Sequence, residues 1–131
     1  MGSTSRVRVL VVDDEPTICR ALSIALTRGG FEVAAVEQGE HALNLIRSEH
    51  FDCMVADLRI PDLRGDVLFE LAASIQPHLR YRTLFTTGDV SEKASELIEA
   101  CNCPVLAKPF DLNELLDTIR KMTRKVRDAT A

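Results

Sequence analysis

The chain predicts an α/β fold, a doubly wound sheet of five parallel strands with five helices spread over its two faces. Five short apolar runs recur along the sequence, and each is followed by apolar residues at helical spacing. Charged, hydroxyl or small residues stand where the apolar runs stop. Strands alternating with helices imply right-handed crossovers, and therefore parallel pairing.

The first strand is Val7-Arg8-Val9-Leu10-Val11-Val12, β-branched and almost wholly apolar past Arg8, as expected of a strand covered on both faces. It ends in Asp13-Asp14-Glu15. Pro16 suits the first turn of a helix, and Ile18, Ala21, Leu22, Ala25 and Leu26 recur at helical spacing until Gly29-Gly30. Phe31–Val36 is the second strand, and Ala42, Leu43, Leu45 and Ile46 mark the second helix after Gly39. Past His50-Phe51-Asp52 comes the central strand, Met54-Val55-Ala56, which stops at Asp57 before Pro61 turns the chain. Val67, Leu68, Leu71, Ala72 and Ile75 form the third helical stripe, closed by Pro77. Arg82–Thr87 is the fourth strand, ended by Gly88, and Ser91 is placed to cap a fourth helix carrying Ala94, Leu97, Ile98 and Cys101. The fifth strand is Val105-Leu106-Ala107. Asp111 with Glu114 is a capping-box pair for a last helix striped by Leu112, Leu115, Leu116, Ile119 and Met122. The natural layout is flavodoxin-like, with strand order 2-1-3-4-5.

At 131 residues the chain fits one domain. With 46% hydrophobic and 27% charged residues and a net charge of −4, it is composed like a globular protein without general affinity for nucleic acid. No apolar run approaches the roughly 20 residues that span a bilayer, and Met1–Ser5 lacks the apolar core of a signal peptide, so no membrane association and a cytoplasmic location are expected. The four cysteines are expected to be reduced and structural, Cys19 and Cys53 within packed elements, Cys101 and Cys103 beside a turn. His41, His50 and His78 are scattered, which argues against a thiolate metal site.

In such a sheet ligands collect beyond the carboxyl ends of the strands, which here present Asp13 and Asp14, Asp57, Thr87 and Lys108. Three carboxylates in a partly desolvated pocket repel one another, and a hard cation such as Mg²⁺ with oxygen ligands relieves the repulsion. Phosphate oxygens commonly complete such a coordination shell, and a lysine and a hydroxyl can take the others. The pattern suits phosphoryl transfer to a carboxylate, with the single, central Asp57 as nucleophile. Taken alone, an acid after a strand as often merely caps a helix. The weight lies in the combination with Asp57 and Lys108. Thr86 reads as a strand residue, Phe110 as core, and His41 as a solvated helix position.

Val11-Val12-Asp13-Asp14-Glu15-Pro16, Asp57-Leu58-Arg59-Ile60-Pro61-Asp62 through Gly65, Thr87-Gly88 and Lys108-Pro109-Phe110 resemble, in that order, the receiver domain of two-component response regulators. The resemblance covers about residues 6 to 122. The expected organisation is an N-terminal leader over 1–5, the receiver over 6–123, and a C-terminal tail or linker over 124–131. The resemblance implies that Asp57 is the phosphoacceptor, and that Asp14 ligates Mg²⁺ (or Mn²⁺) directly while Asp13 acts largely through water. The main-chain carbonyl of Arg59 would be the third protein ligand, Thr87 the switch hydroxyl and Lys108 the phosphate-binding lysine. The bond before Pro109 would be cis.

The implied partner is a histidine kinase or a histidine phosphotransfer domain. The output face would be the fourth helix, fifth strand and fifth helix, which could also support a homodimer. Arg59 and Asp89 stand two positions beyond Asp57 and Thr87, where the family's side chains flank the path of attacking water. A pair between them would alter the lifetime of the acyl phosphate. Val105 departs from the family, which often has an aromatic switch residue there. The tracts Phe85–Val90 and Cys103–Phe110 look like receivers attached to hybrid histidine kinases, with a free-standing receiver as the alternative. A phosphatase of the haloacid-dehalogenase type is disfavoured, because neither Asp13-Asp14 nor Asp57-Leu58-Arg59 supplies its Asp-x-Asp pattern.

Overall fold

In the computed structural model, which describes residues 6–88 and 91–129, five strands form one parallel sheet. They are β1 (Arg8–Val12), β2 (Glu32–Val36), β3 (Cys53–Asp57), β4 (Thr83–Thr87) and β5 (Val105–Ala107), in the order β2-β1-β3-β4-β5. The helices between and after them are α1 (Pro16–Arg28), α2 (Gly39–Ser48), α3 (Gly65–Ile75), α4 (Glu92–Cys101) and α5 (Leu112–Ala129). The expected doubly wound layout is the observed one.

Side-chain alternation along the strands builds two cores. Val9, Val11, Cys53, Val55 and Leu84 pack with Leu22 and Leu26 of α1 and Leu115 and Ile119 of α5. Leu10, Val12, Met54, Ala56 and Phe85, one position out of phase, pack with Ala42, Leu43 and Ile46 of α2, Leu68, Phe69 and Ala72 of α3, and Ala94 of α4. Wholly apolar strands are what a sheet covered on both sides requires. The same alternation reaches past the strand ends. Asp13, Asp57 and Lys108 have the parity of Val11, Val55 and Leu106, so all three emerge on the α1–α5 side of the sheet's carboxyl rim.

Some local expectations are corrected. The stripe assigned to α3 is rotated: Leu68, Phe69, Ala72 and Ala73 are buried, whereas Val67, Leu71 and Ile75 remain exposed. The reason is Gly65, whose helix start lies hard against the backbone of Asp57 and Leu58 and turns Phe69 and Ala73 inward. Pro77 opens a short 3₁₀ helix, Pro77–Tyr81, before β4. Helix α5 runs through the stretch assigned to a tail. Ser91 caps α4 as expected, its Oγ accepting the Ala94 N–H at 3.2 Å, while the Asp111 carboxylate takes the N–H of Asn113 at 2.7 Å rather than that of Glu114.

Two devices fix the loop that follows β3. A Cβ on Gly65 would lie 2.5 Å from the Asp57 carbonyl oxygen and 2.7 Å from the Leu58 Cα, so only glycine permits this approach. The second is Asp62, whose two carboxylate oxygens accept the N–H groups of Gly39 and Glu40 at 2.9 and 3.0 Å. Helix α2 has no side-chain cap from its own N-cap residue, Gln38, so the loop supplies one. These bonds hold the Asp62 carboxyl below the usual carboxylate range.

Gly65→Ala should cost roughly 1–3 kcal/mol of stability in denaturant unfolding, because backbone must shift to admit the methyl group. An unchanged midpoint would show that the close approach is not needed. Since folding lowers the pKa of Asp62, its contribution is fully present above about pH 4 and is lost as the pH falls through the lower folded value. Asp62→Asn should therefore lose roughly 0.5–1 kcal/mol at neutral pH, at the low end for caps because solvent screens the group, and should flatten the acid limb of the stability profile. An acid limb identical to the wild type's would contradict this.

Candidate functional site

Strand register creates the site. Val12 of β1 pairs with Ala56 of β3, so the next residues, Asp13 and Asp57, leave adjacent strand ends side by side. Both are buried, with 1% and 5% of their surface exposed, which makes two neighbouring carboxylates expensive unless a cation joins them. Lys108, immediately after β5, joins them. Its Nζ donates to Asp57 Oδ2 at 2.8 Å, to Asp13 Oδ2 at 2.9 Å and to Glu15 Oε1 at 3.2 Å. The other oxygens of the pair are used alike: Asp13 Oδ1 accepts the Glu15 N–H at 2.9 Å and Asp57 Oδ1 the Arg59 N–H at 3.0 Å. Each aspartate is thus held by the N–H two residues on and by the shared lysine.

Burial raises the pKa of Asp13, opposed by its hydrogen bonds to Lys108 and Glu15. Burial also works against the Lys108 ammonium, but the bonds to Asp57 and Asp13 outweigh it and hold the lysine above its ordinary value. The peptide between Lys108 and Pro109 is cis, as the resemblance implied. The Lys108 N–H donates to the Thr87 carbonyl at 2.8 Å, which ties the lysine loop to the end of β4.

One carboxylate oxygen from each of Asp13, Asp14, Glu15 and Asp57 lies within 4.8 Å of the others. Asp14 and Glu15 are exposed at the mouth, Asp13 and Asp57 buried beneath. One ammonium does not balance four carboxylates. The all-oxygen donor set, open to solvent on one side, fits a hard divalent ion such as Mg²⁺ and not a softer metal that favours sulfur or nitrogen. The cleft over it is lined by Asp14, Glu15, Asp57, Arg59, Gly88 and Lys108.

The structure thus brings together Asp13, Asp14, Asp57 and Lys108, puts the Arg59 backbone on Asp57, and ends β4 beside them with buried Thr87. Asp89 lies outside the described residues, and so does the pairing expected of it with Arg59. Val105 stands on the edge strand β5, 40% exposed. His41 is exposed and Phe110 packs against the α1–α5 core, as expected. All four cysteines are free thiols, and burial pushes that of Cys103 up to about 12, which disfavours a reactive pair with Cys101. The sequence reading assigned no role to Glu15, although the acidic run before Pro16 contained it. A glutamate at a helix start reads as an electrostatic cap, and its reach to a lysine 93 positions away is visible only in the fold.

The family model of the response regulator receiver domain matches residues 9–120. The transcriptional regulatory protein TcrA of Mycobacterium tuberculosis is 32% identical over 127 residues, covering 95% of this chain and 49% of that protein. Response regulator MprA of Mycolicibacterium vanbaalenii is 34% identical over 119 residues, 91% of this chain and 51% of that one. The chain therefore spans about half the length of these relatives. Among solved structures, a CheY-like response regulator receiver domain protein from Methanospirillum hungatei superposes with a TM-score of 0.86 at 26% identity, over 95% of this chain and 99% of that one. A response regulator protein from Burkholderia pseudomallei, solved with a phosphorylated aspartic acid, a calcium ion and citrate, gives 0.78 at 25% identity, over 95% and 73%. A chain that shares this family's sequence pattern over nearly its whole length, and its fold, belongs to the response regulator receiver domains.

Proposed function

We propose that this receiver accepts a phosphoryl group on Asp57 from a phosphohistidine of a histidine kinase or of a phosphotransfer domain, in a Mg²⁺-dependent step, and signals through the α4–β5–α5 face. The observation that carries the reading is the setting of Asp57: buried, clamped by Lys108 and the Arg59 N–H, and lining the acidic cleft. The Burkholderia relative, solved with a phosphorylated aspartic acid and a calcium ion, supports it.

Asp57 would attack phosphorus in line, forming an O–P bond as the donor's N–P bond breaks and the electron pair leaves with the imidazole nitrogen. Lys108, bonded to Asp57 Oδ2, would also be within reach of a phosphoryl oxygen, and the Thr87 hydroxyl at the end of β4 would bond another. Asp13, Asp14, Asp57 and the Arg59 carbonyl would hold Mg²⁺ (or Mn²⁺), which when bound offsets the negative charge of the reacting oxygens. The functional unit is residues 6–123, and its setting is the cytoplasm. Attachment to a hybrid histidine kinase rests on the tracts Phe85–Val90 and Cys103–Phe110, and a free-standing receiver would use the same site.

Incubation with acetyl phosphate and Mg²⁺ should add the mass of one phosphoryl group to the wild type and none to Asp57→Asn. Equal labelling of both proteins would place the acceptor elsewhere. Millimolar Mg²⁺ alone should raise the unfolding temperature by a few degrees, as any ligand of the folded state does, and should do so less in Asp14→Asn. A wild-type melting curve indifferent to Mg²⁺ would argue against a metal in this cluster.

A further inference from the structure

Lys108 has three ammonium protons, and its three carboxylate bonds occupy all of them. A phosphoryl group arriving on Asp57 can be bonded only if one partner lets go. Asp13 and Asp57 are poorly placed to yield. Their side chains are 2% and 7% exposed, and the remaining oxygen of each is fixed by a backbone N–H.

Glu15 differs on every count. Its side chain is 55% exposed and its bond to Lys108 is the longest of the three. Its backbone is nevertheless pinned, with the N–H held by Asp13 and the carbonyl accepting the N–H groups of Ile18 and Cys19 in the first turn of α1. Glu15 is the N-cap residue of that helix, yet its side chain makes no capping bond and reaches the lysine instead. A mobile carboxylate on a fixed base, spent on Lys108 and not on its own helix, suits a partner that can be displaced.

We propose that Glu15 is a positioning residue that holds the third proton of Lys108 in the resting state and competes with the phosphoryl group for it. This rests on the phosphoacceptor reading of Asp57. Glu15 swings to solvent as the phosphoryl oxygen takes its place, so each phosphorylation breaks one half-exposed ion pair. The residue thereby sets how readily the site accepts and retains the group, without touching the reacting atoms in the resting state.

The test is the affinity for beryllium trifluoride, a phosphoryl mimic, at saturating Mg²⁺, followed by calorimetry. Glu15→Gln should bind two- to fivefold more tightly than wild type, the range that a half-exposed ion pair can withhold. Glu37→Gln removes a carboxylate from the neighbouring cleft that is not among the three partners of Lys108, and should leave the affinity unchanged. Equal gains in both variants would reveal a general field effect and overturn the proposal. Unchanged or weaker binding by Glu15→Gln would also overturn it, the latter by making Glu15 part of the metal shell. A wild type that never binds the mimic would instead defeat the phosphoacceptor reading itself, and this inference with it.

Discussion

The constraint on which the structure turns is the register between β1 and β3. It sets two buried aspartates at the ends of adjacent strands, where like charges destabilise the sheet. Lys108 answers that cost, and much of the remaining architecture serves to deliver it. The β5 strand is only three residues long, and its chief topological consequence is that the lysine after it emerges on the side of the sheet where Asp13 and Asp57 stand. A single cation does not balance four acids, an imbalance that a second positive charge would relieve.

Most of the fold was legible because both of its periodicities are written plainly. Runs such as Val9–Val12 and Cys53–Ala56 lack the polar alternation of a half-exposed strand and so announce a sheet buried on both sides. The carboxylates at the strand ends were legible for the same reason, since a charge that stops an apolar run has to lie at a rim. The errors came where packing overrides pattern. Val67, Leu71 and Ile75 satisfy helical spacing as well as Phe69 and Ala73 do, and only the approach of Gly65 to the β3 backbone decides which set faces inward. Glu15 and Asp62 escaped for a related reason. Their partners lie far along the chain, and an exposed acid carries no local sign of what it reaches.

Val105 stands where the family resemblance leads one to look for an aromatic ring. In its place β5 presents a small β-branched side chain at a sheet edge, and Ala94 is the one buried residue of α4. The end of β4 is tied to the lysine loop through main chain, the Lys108 N–H donating to the Thr87 carbonyl.

The clasp made by Asp62 has a mechanical meaning. It fastens the segment beyond Asp57 to α2, while Gly65 presses the same segment onto β3. That flank is thereby fastened at two points. The opposite flank is packed more thinly, with Ala94 the buried residue of α4 and none of the three residues of β5 fully buried. The two sides of the rim are thus unequally anchored, like a door hung on one jamb.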